Sequence, residues 1–199
     1  MAQFQAVRVT CEAITELLKA VYTAQPTGLP VSMGFHVFVA EDFKTVDSST
    51  NGISLFLYRA YVNANQRATQ RRDPATGKTT RPPLPLELHF FLTTWAKTAS
   101  LQHNMLGWMM RTLEDFPCLT ASFLNERGSG TFSANETVEI IPGQLTNEEL
   151  MRIWEDLQVP YQLSVPYVAR IVRIDSTVEL GEDGLSVIQR DFDMQVPKG

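Results

Sequence analysis

The sequence predicts an α+β domain: a mixed, mostly antiparallel sheet flanked by about three helices. Three observations lead there. Helical and strand periodicities are interspersed along the chain without the regular alternation of a βαβ fold. Two strand-like runs, residues 53–63 and 86–94, flank one long polar loop, as the arms of a hairpin do. Of the 199 residues, 44% are hydrophobic and 20% charged, which is ample for a packed core and too apolar for general disorder.

The elements follow in order. Val7, Cys11, Ile14, Leu18 and Val21 recur at the spacing of one helix face, while Arg8, Glu12, Thr15, Glu16 and Lys19 point elsewhere. The prolines and glycine of residues 25–30 break that helix. Residues 31–39 read as a strand with Val31, Met33, Phe35, Val37 and Val39 on one face, and residues 42–52 as a polar turn region. Residues 53–63 are apolar on both faces (Ile53, Leu55 and Leu57; Phe56, Tyr58 and Val62), as in a strand covered on both sides near the middle of a sheet. A loop over residues 64–84 holds Arg67, Arg71, Arg72, Lys78 and Arg81 against one acid, Asp73. The alternating strand 86–94 returns from it. Leu101, Met105, Trp108 or Met109, and Leu113 mark a second helix, capped by Thr98 or Ser100 and ended by Phe116-Pro117.

After a Gly-Ser-Gly loop, residues 136–141 form a short strand closed by Pro142-Gly143. Thr146 and Glu149 make a capping box that opens a third helix, with Leu150, Ile153, Trp154 and Leu157 inward. A last strand, 167–174, follows Pro166. The tail from Asp175 carries six acids against two bases. The expected division is one domain over residues 1–178 and an acidic arm over 179–199.

Charge and motifs exclude several functions. A net charge of -5 gives no basic footprint for nucleic acid, and the basic loop lacks interleaved aromatics for stacking. No apolar run is long enough to span a bilayer and no basic leader opens the chain, so no membrane contact is expected, and synthesis and folding are expected in the cytoplasm. Two cysteines suit a reducing compartment, Cys11 as a buried thiol.

No nucleotide loop, zinc-protease or nucleophile-elbow motif occurs, so no cofactor and no metal are expected. His36 and His89 fall on strands that could meet across a sheet, and Glu87 stands near; an enzyme would need a pocket gathering them. Glu148 and Glu149 suit a helix N-terminus. Two features point to protein partners instead. The basic loop is either a docking element for an acidic surface or a solvated hairpin tip. Trp108, Met109 and Met110 are consecutive on a helix and cannot all face inward, which leaves apolar surface for a partner.

Several segments together resemble a known family. These are Ile53-Ser-Leu-Phe-Leu-Tyr-Arg59, Arg81-Pro-Pro-Leu-Pro-Leu-Glu-Leu-His89, Leu106-Gly-Trp-Met-Met-Arg111 with Phe116-Pro117, the helix of Leu150, Trp154 and Leu157, and Ser164-Val-Pro-Tyr-Val168. In order and spacing they are similar to the N-terminal domain of cap proteins from extracellular contractile injection systems of the antifeeding-prophage type. The likeness runs from the first helix to about Ile174.

That resemblance implies a tail-terminator-like fold and a structural, non-enzymatic role. The subunit would end the inner tube and fasten the last sheath ring of the particle, as a hexameric ring distal to the baseplate. Its partners would be copies of itself, the tube protein and the sheath protein. On that view Arg67, Arg71, Arg72, Lys78 and Arg81, the acids Asp191 and Asp193 of the arm, and Trp108 and Met110 are the expected partner-binding residues. Some family members continue into a further C-terminal region; functions of that region, membrane attachment included, are not expected here. The alternative is an adaptor or scaffold module, monomeric or dimeric.

Overall fold

The first helix, α1 (Ala6–Tyr22), lies against the sheet through Ala6, Val9, Ala13, Ile14 and Leu18, all fully buried. Its inward face is rotated from the expected one. Val7 and Val21 are only half-buried, whereas Thr15 is buried, its hydroxyl donating to the Glu12 carbonyl. Two alanines on the inner face allow a close approach to the strands, and a pattern read from large apolar residues alone passes over them. The computed structural model describes residues 4–23, 28–46, 51–66, 71–72, 79–176 and 178–180.

Strand β1 (Gly34–Phe38) is shorter than the expected 31–39, and its face is not the uniform one expected. Phe35 packs into the main core and Phe38 into a second cluster, while Val31 and Val39 are exposed. The expected turn region begins with a one-turn helix, α2 (Asp42–Thr45), whose Asp42 carboxylate accepts from the Val39 N–H just before the helix at 2.7 Å. That turn drives Phe43 inside, 3% exposed.

β2 (Gly52–Val62) runs parallel to β1, so closely at its start that a Cβ on Gly52 would lie 2.8 Å from the Gly34 carbonyl oxygen. A 3₁₀ turn (Ala64–Gln66) leads to a two-residue pair, β3 (Arg71–Arg72) and β4 (Thr79–Thr80), within the basic loop. β5 (Leu84–Trp95) then returns antiparallel to β2, as the hairpin reading expects.

Helix α3 (Ala99–Asp115) is capped by the Thr98 hydroxyl, which accepts from the Leu101 N–H. β6 (Cys118–Thr120) and α4 (Ala121–Asn125) follow, both too short to register as periodicity. β7 (Thr137–Pro142) and β8 (Ser164–Ile174) each include a proline that the sequence pattern puts outside the strand. Pro142 ends β7 opposite Tyr167; Pro166 lies beyond that last β7 pair, where β7 makes no call on its missing N–H. Between them α5 (Asn147–Leu157) opens with the expected capping box, the Thr146 hydroxyl on the Glu149 N–H and the Glu149 carboxylate on the Thr146 N–H. β9 (Glu179–Leu180) pairs antiparallel with β4.

The main sheet has the order β1-β2-β5-β8-β7-β6, antiparallel except for β1 with β2. One face, with α1, α3 and α4, encloses the larger core around Leu55, Leu88, Phe90, Leu92 and Met109. The other carries an aromatic cluster of Phe43, Phe91 and Trp154 beneath α2 and α5. This α+β architecture is the one the interspersed periodicities anticipate.

Candidate functional site

The basic loop joins β2 to β5. Arg71 and Arg72 form β3, and Arg81 is exposed where β4 leads into β5. Arg67, Lys78, Asp191 and Asp193 lie outside the described residues. The first residues of the expected arm join this loop within the same chain: Thr79 stands opposite Leu180 and Thr80 opposite Glu179. β3, β4 and β9 therefore make a separate three-stranded sheet.

The three consecutive apolar residues of α3 divide as a helix requires. Met109 is fully buried and Met110 is 42% exposed. Trp108 is half-buried at the rim, its ring 6.0 Å from Tyr22 and 6.2 Å from Phe35, both edge-on. Its packing at the rim of the larger core is intramolecular, and Met110 stands outside that packing.

The histidines do not meet. β2 lies between their strands, with His36 opposite Ser54 and His89 opposite Arg59. Whether the two strands are neighbours depends on strand order, which only the assembled sheet decides. His36 and His103 are exposed. His89 sits between the rings of Tyr58 and Tyr61, at 6.2 and 5.0 Å, with its Nε2 3.9 Å from Glu87. Burial pulls its pKa below the ordinary 6.5, the Glu87 charge working the other way. Glu87 is already engaged, accepting from the Asn63 amide at 2.8 Å. Among the described residues no cluster of His, Cys, Asp and Glu is arranged to hold a metal.

Two depressions lie on the aromatic-cluster side of the sheet. One, of about 560 Å³, is lined by Glu87, Cys118, Glu139, Arg170 and Arg173; the other, of about 290 Å³, by His36, Ser54 and Trp95. The larger is polar and already paired, with the Arg170 guanidinium donating to Glu139 at 2.9 Å. Glu87 and His36 thus belong to different hollows, and the constellation that an enzyme would need is not brought together.

The remaining ionisable groups have local explanations. The Thr146 backbone N–H and then its hydroxyl hold the Glu149 carboxyl below its usual range, as a helix cap does. Cys11 is buried as expected, its thiol pushed up to about 12 by burial and then by Glu12. One surface escaped the sequence reading: the outer edge of β1, where Val37 and Val39 are 41% and 64% exposed. Its signal was available in the absence of any acid, lysine or arginine over residues 31–40.

This fold is similar to those of solved sheath and tube terminators. The sheath/tube terminator of PVC, an extracellular contractile injection system, in its extended state superposes with a TM-score of 0.59 at 15% identity. That match covers 100% of this chain and 74% of the other. The tube-terminating cap of the anti-feeding prophage gives 0.56 at 14% identity, over 88% of this chain and 56% of the cap. The chain belongs to the family described as the Pvc16 N-terminal domain, whose model matches residues 10–186. No curated protein matches it by sequence.

Proposed function

We propose that this chain is a cap subunit of a contractile injection system, ending the inner tube and fastening the last sheath ring as a member of a hexameric ring. The observation that carries this reading is the superposition of the whole chain on a sheath/tube terminator, beside its membership of the Pvc16 N-terminal domain family. The role is structural, and the partners are further copies of the chain, the tube protein and the sheath protein. The subunit is made in the cytoplasm and ends at the pole of the particle distal to the baseplate.

The basic loop and the acidic arm serve this role at one end of the fold. β9 pairs the start of the arm with β4 of the loop, and the two segments carry opposite charge in the sequence. Contacts that use them reach partners beyond that end, with Met110 and the rim at Trp108 as a further contact. Neutralising Arg71, Arg72 and Arg81 together weakens incorporation into particles, most clearly at low salt, because exposed charge pairs are screened as ionic strength rises. Unchanged incorporation removes the loop from the interface.

The deciding experiment is electron microscopy of particles from cells lacking this gene, beside the unaltered cells. Overlong or uncapped tubes with loose sheaths are expected. Tubes of normal length with firm sheaths would overturn the reading and leave an adaptor, monomeric or dimeric, in its place.

A further inference from the structure

The main sheet has two edges, and among the described residues each edge strand has a partner on one side only: β1 pairs with β2, and β6 with β7. A free edge offers unpaired N–H and C=O groups, and soluble proteins usually blunt it with charge, proline or a bulge. The β1 edge carries none of these. Residues 31–40 hold no acid, lysine, arginine or proline, and the register runs unbroken from Gly34 opposite Gly52 to Phe38 opposite Phe56. Val31, Val37 and Val39 face solvent, 93%, 41% and 64% exposed.

The far edge is uncharged as well, although Pro117 stands directly before its strand. Cys118 and Thr120 of β6 are exposed, Phe116 just before them is 49% exposed, and residues 116–125 carry no charge.

We infer that the β1 edge is an interface to a second copy of this chain and seats against the β6 edge of that copy, head to tail. The inference rests on the ring reading above and names the surfaces that close the ring. Each copy has one edge of each kind, so head-to-tail contacts in a closed ring cover every β1 edge and every β6 edge once. A two-fold pairing of β1 with β1 leaves both β6 edges and Phe116 in water. Neither edge brings a charge that would have to be desolvated. Both strands are short, so the backbone supplies only a few hydrogen bonds, and the valines packing on Phe116 supply the rest.

Disulfide trapping tests this with a cysteine the chain already has. His36 and Cys118 lie on the same face of the sheet at opposite edges, five strand spacings or about 24 Å apart. A disulfide needs Cα atoms within about 7 Å, so a bond between these positions joins two copies. Cys11 is buried and does not compete.

Particles carrying His36→Cys, mildly oxidised and run without reductant, are expected to give a ladder of multimers. The ladder disappears when Cys118→Ser is added. It also disappears with Val37→Lys, a charged edge, while that variant melts as the unaltered chain does. Dimers that persist in the Cys118→Ser background show β1 pairing with β1 and overturn the inference. So does the absence of any crosslink in particles that contain the chain. If the chain is missing from the particles, the cap reading fails; the same oxidation of the purified chain then decides the interface, by a ladder or by none.

Discussion

On one face of the sheet, two seventeen-residue helices bury Ile14, Leu18, Met105 and Met109 against Leu55, Leu88, Phe90 and Leu92. On the other face, a helix of four residues and one of eleven hold Phe43 and Trp154 against Phe56, Phe91 and Trp95. The long helices cover their face with aliphatic side chains. The short ones reach only part of theirs, and they do so with aromatic rings, which bury more area per residue. Phe43 is the centre, its ring 5.3 to 6.3 Å from those of Phe38, Phe56, Phe91, Trp95 and Trp154. Where the aromatic cover stops, the sheet surface turns polar, with Glu139 and Arg170 paired across β7 and β8. One face is therefore insured by many interchangeable contacts and the other by one ring.

The largest expected effect follows from that difference. Phe43→Ala destabilises the fold by about 4 kcal/mol, against about 3 kcal/mol for Met109→Ala on the aliphatic face. Chemical denaturation followed by tryptophan fluorescence ranks the two, since Trp95 and Trp154 report on the aromatic side. A smaller loss at Phe43 than at Met109 breaks the comparison.

A middle-sized effect sharpens it. Thr146→Ala removes the cap that starts α5, the lid of the aromatic cluster, and costs about 1 kcal/mol, with Thr146→Ser restoring most of it. A change below the scatter of the melt would detach the cap from the stability of that face.

The smallest concerns acid. His89 lies on the aromatic-cluster face, and burial lowers its folded pKa below the ordinary 6.5. The unfolded chain then binds the proton more readily than the folded one. Stability present above about pH 6.5 is lost as pH falls through the unfolded pKa toward the folded one. His89→Gln flattens that slope; an equal slope in both proteins removes His89 as its source.

What the sequence made legible was local. The capping box at Thr146 and Glu149 and the Thr98 cap involve residues three apart, and the long periodic runs of α3, β2 and β5 declare their own type. α2 was invisible because one helical turn has no period, and Phe43 is buried by Trp154, more than a hundred residues later. The candidate contact residues were legible as charges and apolar excess. Where they stand was not, because β9 joins β4 through a pairing that spans a hundred residues.

By itself, then, the sequence determined which of the longer segments are helices and strands, where α3 and α5 begin, and that the chain is acidic with one basic loop. The periods, caps and charges responsible act within a few residues of one another. Only the tertiary structure decided that β8 lies between β5 and β7, that β2 keeps His36 from His89, and that β1 is left with a bare edge. Strand order is settled by which faces can be buried together, a condition on the whole chain that no local run of residues contains.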